Sequence, residues 1–441
     1  MRRFAVVWLG QAFSLLGTNV SAFGVTVWAY KETGSATAMA LIPFFLVTPM
    51  LIVSPLAGAL VDRLNRKFMM MVSDLASGLT STILLVLFLA DRLEIWHIYL
   101  GGVFIGTFMS FQWPAYSAAM TTIVPKDQLG RANGMVMLAE TGTNILGPML
   151  GATLLGFIGL GGILIADLIT MLLAILTLLI VPIPRPQITQ IGLESRSSLW
   201  KESLYGFTYI LKRPGLLGLQ AVFFVGNFFS TISFTLMPPM ILARTANNEL
   251  ILGAVSSIGA IGGVVGGALM STWGGTKRKV HGVLSGWGLS GVFGVLMGLS
   301  KTAPGWTAAR FLGVLTIPFI DASNQAIWQS KVAPDVQGRV FSIRRLIAWF
   351  STPLATLAAG PLADYLVEPA MQAGGNLAPV FGSLVGVGPG AGMALIIVFA
   401  ELAVTLIGFG AYSVRIVRDV EVLMPDDEPA SGIDAEPVFP G

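Results

Sequence analysis

Apolar residues gather along this chain into twelve runs, at 4–29, 36–61, 68–90, 95–119, 132–156, 160–181, 215–243, 250–272, 280–300, 305–330, 341–365 and 391–415. A helix crossing a hydrocarbon core of about 30 Å needs roughly 20 apolar residues, and each run meets that length. Barrel strands are about ten residues long and alternate in polarity, so a β-barrel is excluded. The first run follows Arg2-Arg3, lacks a small-residue cleavage site and is too long for a signal peptide, so it is expected to stay as the first helix. The predicted fold is an all-α membrane protein with twelve transmembrane helices.

Polar residues inside the runs keep to single faces. Gln11, Ser14, Thr18 and Ser21 recur at spacings of three and four in the first run, and Asp321, Asn324, Gln325 and Trp328 do so in the tenth. The seventh run offers Asn227, Ser230 and Phe234; the fourth offers Thr107, Ser110, Pro114 and Ser117, with Gln112 and Tyr116 beside them. A polar stripe within a membrane must face protein or water. The resulting candidates for a substrate cavity are Gln11, Thr18, Asn19, Gln112, Tyr116, Asn227, Phe234, Asn324, Gln325 and Trp328. Interhelical hydrogen bonding without any ligand produces the same pattern.

Five acids fall within the runs: Asp74, Glu140, Asp167, Asp321 and Glu401. Intramembrane acids are costly and mark functional candidates. Glu140 lies nine residues from Arg131, about 13 Å along a helix, and Asp321 lies ten from Lys331, about 15 Å. Both depths approach the bilayer centre, which makes Glu140 and Asp321 the candidates for carrying a proton. Asp74 is expected near a helix end, where headgroups and water can solvate it, and Asp74, Asp167 and Glu401 are all expected in structural roles, paired with neighbouring polar groups.

Basic residues set the orientation. With the N-terminus inside, 21 of the 26 Lys and Arg fall in inner segments, and the outer segments hold Lys31, Arg92, Arg244, Lys301 and Arg310. Cytoplasmic loops attract positive charge, so both termini are expected in the cytoplasm. Composition agrees with a membrane protein: 54% hydrophobic, 11% charged, mean hydropathy +0.78. The net charge of +3 reflects topology and forms no nucleic-acid patch. There is no cysteine, there are two histidines, and no phosphate-cradling Gly-x-x-x-x-Gly-Lys-Ser/Thr loop occurs. Metal sites, thiol chemistry, cofactors, enzymatic activity and direct use of ATP are not expected.

The chain repeats itself at an offset of 208: Gly17-Thr18-Asn19 maps onto Val225-Gly226-Asn227, Gly58 onto Gly266, and Asp127, Gly130 and Arg131 onto Asp335, Gly338 and Arg339. A duplicated six-helix unit follows, with substrate sites near the midplane between the copies. The domains are an N-terminal bundle (1–184), a linker (185–214) holding an amphipathic segment around Trp200, a C-terminal bundle (215–418) and an acidic tail (419–441) expected to be unstructured. Residues 366–390 read as a Gly- and Pro-rich external loop. The glycines of the eighth run (Gly259, Gly262, Gly263, Gly266, Gly267) suit close helix packing. Gly147-Pro148 suits either a bending helix or a fixed kink.

Between the second and third runs stands Gly58-Ala59-Leu60-Val61-Asp62-Arg63-Leu64-Asn65-Arg66-Lys67. It resembles the signature loop of major facilitator superfamily transporters, with Val61 and Asn65 in place of the usual Ala and Gly. Gly58, Asp62, Arg63, Arg66 and Lys67 match that pattern, which implies a gating loop at the cytoplasmic face. In the second copy Met270 stands where Asp62 would be. Trp8-Leu9-Gly10-Gln11, Gly34-Ser35-Ala36, Phe111-Gln112-Trp113-Pro114-Ala115-Tyr116 and Leu129-Gly130-Arg131-Ala132-Asn133-Gly134 look like the bacterial branch that holds macrolide-efflux and enterobactin-export proteins. The resemblance implies a monomer in the bacterial inner membrane, two pseudo-symmetric bundles, and a cavity lined by helices 1, 4, 7 and 10. It also implies export of a small amphipathic compound driven by proton re-entry. A lipid or lysolipid flippase, or a transport-inactive sensor, are the other classes such a scaffold supports.

Overall fold

All twelve predicted runs are helical in the computed structural model, which describes residues 1–61, 65–125, 128–182, 206–332 and 336–424. In a bilayer, helices satisfy every backbone group internally, and no strand occurs among the described residues. The first four helices are α1 (Arg2–Thr33), α2 (Ala36–Val61), α3 (Arg66–Leu89) and α4 (Ile95–Ile123). The stretch Leu129–Ile180 breaks at Gly159, with φ 65° and ψ −177°, giving α5 before the break and α6 after it. Glycine alone enters that backbone region cheaply. The chain reverses there: Gly147 and Gly151 of α5 pack on Asn19 and Phe23 in parallel with α1. In α6, Ile163, Thr170 and Thr177 pack antiparallel on Gly24, Gly17 and Gly10.

The second half holds α7 (Pro214–Arg244), α8 (Glu249–Trp273), α9 (Lys279–Leu299), α10 in two pieces (Ala303–Leu315 and Ile317–Lys331), α11 (Gln337–Pro361) and α12 (Ala391–Gly410). Among the described residues nine helices are long and apolar enough to cross a membrane. The other three spans differ for separate reasons. Leu129–Ile180 holds two spans in one run, α10 is divided at Thr316, and α4 is diluted by His97, Gln112 and Trp113. Gly259, Gly262, Gly263 and Gly266 of α8 pack on α10 as expected, a Cβ at Gly262 or Gly266 striking the carbonyls of Phe311 and Leu315, whereas Gly267 meets nothing within 4 Å among the described residues. The helix runs on through Pro148, since Gly159 is the one non-helical residue in that stretch.

The two halves meet through α5 against α8 and α2 against α11. A Cβ at Gly253 of α8 would lie 2.6 Å from Cβ of Ala152 and 2.8 Å from the Pro148 carbonyl. Both contacts sit toward the end of the bundle opposite the chain termini, here called the distal end. Among the described residues, one buried apolar cluster draws side chains from both halves. It joins Val27, Tyr30, Ala36 and Met39 to Leu236, Met240, Leu252 and Ala359 at the distal end. The clusters toward the terminal end stay within one half each. The distal end is closed.

Residues 366–390 are more ordered than a Gly- and Pro-rich loop suggests. They include the helix Ala378–Val385, and Met371 and Val385 are buried. Glu368 accepts from the amides of Gly390 (2.5 Å) and Met393 (3.1 Å), capping α12, while Arg244 donates to the carbonyls of Ser300 (3.0 Å) and Val385 (2.5 Å). The acidic tail likewise begins later than 419. Asp419 pairs with Arg278 and Arg418 at 2.9 Å each, and Glu421 accepts from the amides of Lys279 (3.0 Å) and Val280 (2.8 Å) at the start of α9. Lys331 Nζ donates to the carbonyls of Glu421 and Met424, so 415–424 is clamped under the C-terminal half.

Candidate functional site

Each half carries a partly open cavity. The N-half cavity, ≈ 200 Å³, is lined by α1, α3, α4 and α5, including Trp8, Gln11, Thr18, Gln112, Tyr116 and Glu140. Its polar centre is Asp74 of α3, which is buried rather than solvated at a helix end. Gln11 Nε2 donates to Asp74 Oδ2 at 2.9 Å, and Gln112 Nε2 donates to Asp74 Oδ1 at 2.8 Å and to Gln11 Oε1 at 3.1 Å. Three helices are thus tied through one carboxylate. Glu140 projects from α5 at the rim of this cavity and is exposed. Asp167 is held by Ser81 (2.6 Å) and Thr18 (3.4 Å), the structural pairing expected of it.

The C-half cavity, ≈ 220 Å³, is lined by α7, α9, α10 and α12, and it receives Asn227, Phe234 and Asp321. It also receives residues that sequence reasoning placed elsewhere. Arg310, counted as an outer-segment base, is a cavity-lining side chain within α10, its guanidinium 4.5 Å from the centre of the Phe234 ring. Glu401, expected in a structural pair, lines the same cavity and is buried. Gly294 leaves the space that the Glu401 carboxyl occupies.

Four of the cavity candidates lie apart from both cavities. Asn19 donates to the Leu15 carbonyl of its own helix at 3.1 Å. Asn324 is buried away from the lining and Gln325 is partly exposed. Trp328 is completely buried in the terminal-end core of the C-half, where Arg344 lies 5.2 Å from its ring centre. The stripe on α10 therefore divides: its distal part meets the cavity and its terminal part meets the core.

Of the signature loop, Asp62 and Arg63 lie outside the described residues, as do Asp127 and Asp335 of the repeat. Gly58 falls within α2, and Arg66 opens α3. Asn65, which replaces the usual Gly, caps α3 by accepting from the amides of Lys67 (3.0 Å) and Phe68 (3.4 Å). Lys67 Nζ donates to the carbonyls of Leu179 (3.1 Å) and Val181 (3.0 Å), where a cation suits the last turn of α6.

Comparison with known proteins agrees with this architecture. The chain is 24% identical over 371 residues to macrolide efflux protein A of Streptococcus pyogenes, covering 82% of this chain and 89% of that protein. It is 26% identical over 366 residues to the multidrug efflux pump Tap of Mycolicibacterium fortuitum (77% and 85% covered). It is also 26% identical over 272 residues to the enterobactin exporter EntS of Salmonella typhi (60% and 64%). Among solved structures, a bacterial homolog of the human lysosomal transporter Spinster, inward-facing and unoccupied, superimposes with TM-score 0.68 at 14% identity, covering 94% of this chain and 97% of that one. Residues 7–356 match the family model described as Major Facilitator Superfamily. The chain belongs to that superfamily and is a transporter, not an enzyme.

Proposed function

We propose that this protein exports a small amphipathic compound across the bacterial inner membrane by alternating access, coupled to proton re-entry. The observation that carries this reading is the pairing of a sealed distal end with a cavity in each half whose largely apolar walls carry a few polar and charged groups. With both termini cytoplasmic, as the Lys and Arg distribution predicts, the sealed end faces outward and this conformation takes substrate from inside. The efflux relatives favour export and a compound of the macrolide, drug or siderophore kind. Gly58, Asp62, Arg63, Arg66 and Lys67 serve as the gating loop on the cytoplasmic side.

Glu140 and Asp321 are the coupling acids in this reading. They line opposite cavities, their distances along the chain from Arg131 and Lys331 put both near the bilayer centre, and neither forms an ion pair within 4.0 Å among the described residues. The test is flux in proteoliposomes with and without an imposed pH gradient, using Glu140→Gln, Asp321→Asn and the double variant. Uncoupled transport with measurable substrate binding is expected. A double variant that still accumulates substrate against its gradient at the wild-type rate rules out both acids.

A further inference from the structure

The C-half cavity has unmet hydrogen-bonding capacity that the N-half cavity lacks. Ser233 Oγ, Trp287 Nε1, Arg310 Nε and Glu401 Oε2 are buried atoms without a hydrogen-bond partner among the described residues, and all four residues line this one cavity. Ser233 neighbours the Glu401 carboxylate but falls outside hydrogen-bond geometry. Buried polar groups are ordinarily paired, and a cluster of unpaired ones on one void is a rare arrangement. In the N-half, by contrast, Gln11, Asp74 and Gln112 satisfy one another.

The charges are housed but not in contact. Gly259 of α8 leaves room for the Arg310 stem, as Gly294 does for Glu401, so both side chains occupy prepared slots. Arg310 stacks on Phe234 yet donates no hydrogen bond and joins no ion pair among the described residues. Each acid on the cavity has a base within Coulombic reach, Arg344 for Asp321 and Arg310 for Glu401, and neither couple closes to an ion pair within 4.0 Å among the described residues. Arg310 and Glu401 are left as a separated cation and anion facing common space. A purely anionic or purely cationic ligand would match one of them and leave the other buried and unmatched.

The geometry points to a binding site for a small zwitterion inside the C-half. Its carboxylate would meet the Arg310 guanidinium with Trp287 and Ser233 as further donors, and its ammonium would meet Glu401. An apolar flank would lie against Phe234 and Met237, and a cavity of ≈ 220 Å³ takes a molecule of amino-acid size. The site involves four helices of one half, so it does not require export or proton coupling to be as proposed above.

Equilibrium dialysis of the purified full-length protein against labelled leucine tests this directly, with leucinamide and N-acetylleucine as competitors that each lack one charge. Leucine should bind saturably, and each competitor should be weaker by roughly tenfold or more, the loss of one charge-assisted contact. Glu401→Gln and Arg310→Lys should each weaken leucine by a similar factor. No saturable leucine binding, or equal competition by all three compounds, would leave the cavity as a water-filled void and overturn the assignment. The ligand series on the wild-type protein decides the matter even where a variant fails to fold.

Discussion

Asp364 holds the start of α2 across the boundary between the halves. From the π-helical turn after α11 it accepts from the Ser35 hydroxyl at 2.5 Å and from the amides of Ala36 and Thr37 at 3.0 and 2.7 Å. A carboxylate of one half thus sits on a helix N-terminus of the other at the distal end. Removing such a cap costs about 0.5–2 kcal/mol. Asp364→Ala should therefore loosen distal closure, and spin labels at Glu32 and Asn247 should report longer, broader distances. The nearby Lys31–Glu249 pair, 3.0 Å apart but half-exposed, should contribute only about 0–1 kcal/mol, so Glu249→Gln should leave those distances nearly unchanged. A reversed ranking of the two variants would refute this account of the distal closure.

Gly253 sets the approach of α5 to α8. Gly253→Val should force the halves apart at Pro148 and Ala152, costing this conformation about 1–3 kcal/mol, with Gly253→Ala in between. Thermal melts of the three proteins in one detergent give the order, and a Val variant as stable as wild type would contradict it.

Asp74 is the shared acceptor of two glutamines. Asp74→Leu should leave the Gln11 amide without its acceptor and Gln112 with only Gln11 Oε1, a loss of about 1–3 kcal/mol in total for two half-buried side chains. Asp74→Asn keeps one acceptor and should fall between. The measurement is again the melting temperature, and it needs no knowledge of the substrate.

Asp419 gives a pH prediction outside the membrane. Hydrogen bonds from Arg418 first, and from Arg278 second, hold its carboxyl down from 3.8 to about 2. A depressed folded value means the contribution is complete above the unfolded value and fades as pH falls through the folded one. The 415–424 clamp should therefore keep its protection from hydrogen exchange across the neutral range and down to about pH 4. Asp419→Asn should lower that protection at neutral pH, and an unchanged exchange rate would mean the pair adds nothing there.

The fold was legible because lipid imposes one rule on every span: apolar length. That rule locates α1 to α12 but is silent on the Gly159 reversal's exact form and on the division of α10 at Thr316. The cavities were only half legible. Polar stripes direct attention to Gln11, Gln112 and Asn227, which line the two cavities, yet a stripe does not say whether it meets a void or a packed neighbour. Trp328 and Asn324 share a face with Asp321 and end in or beside the core. The place of Asp74 along α3 and of Glu401 in α12 says little about burial, which depends on which helices pack around them. Arg310 did carry a signal: it lies inside the run 305–330, where an arginine is too expensive to be a loop residue.

Lys67 links two parts of the chain that are far apart in sequence. Its ammonium grips the carbonyls of Leu179 and Val181, and Val181 is the point where α6 gives way to the connection between the halves. The signature loop and the root of that connection are thereby hitched at one fixed point. Any swing of the α2–α3 turn must pull on the tether that leads to the second half, or else let go of α6.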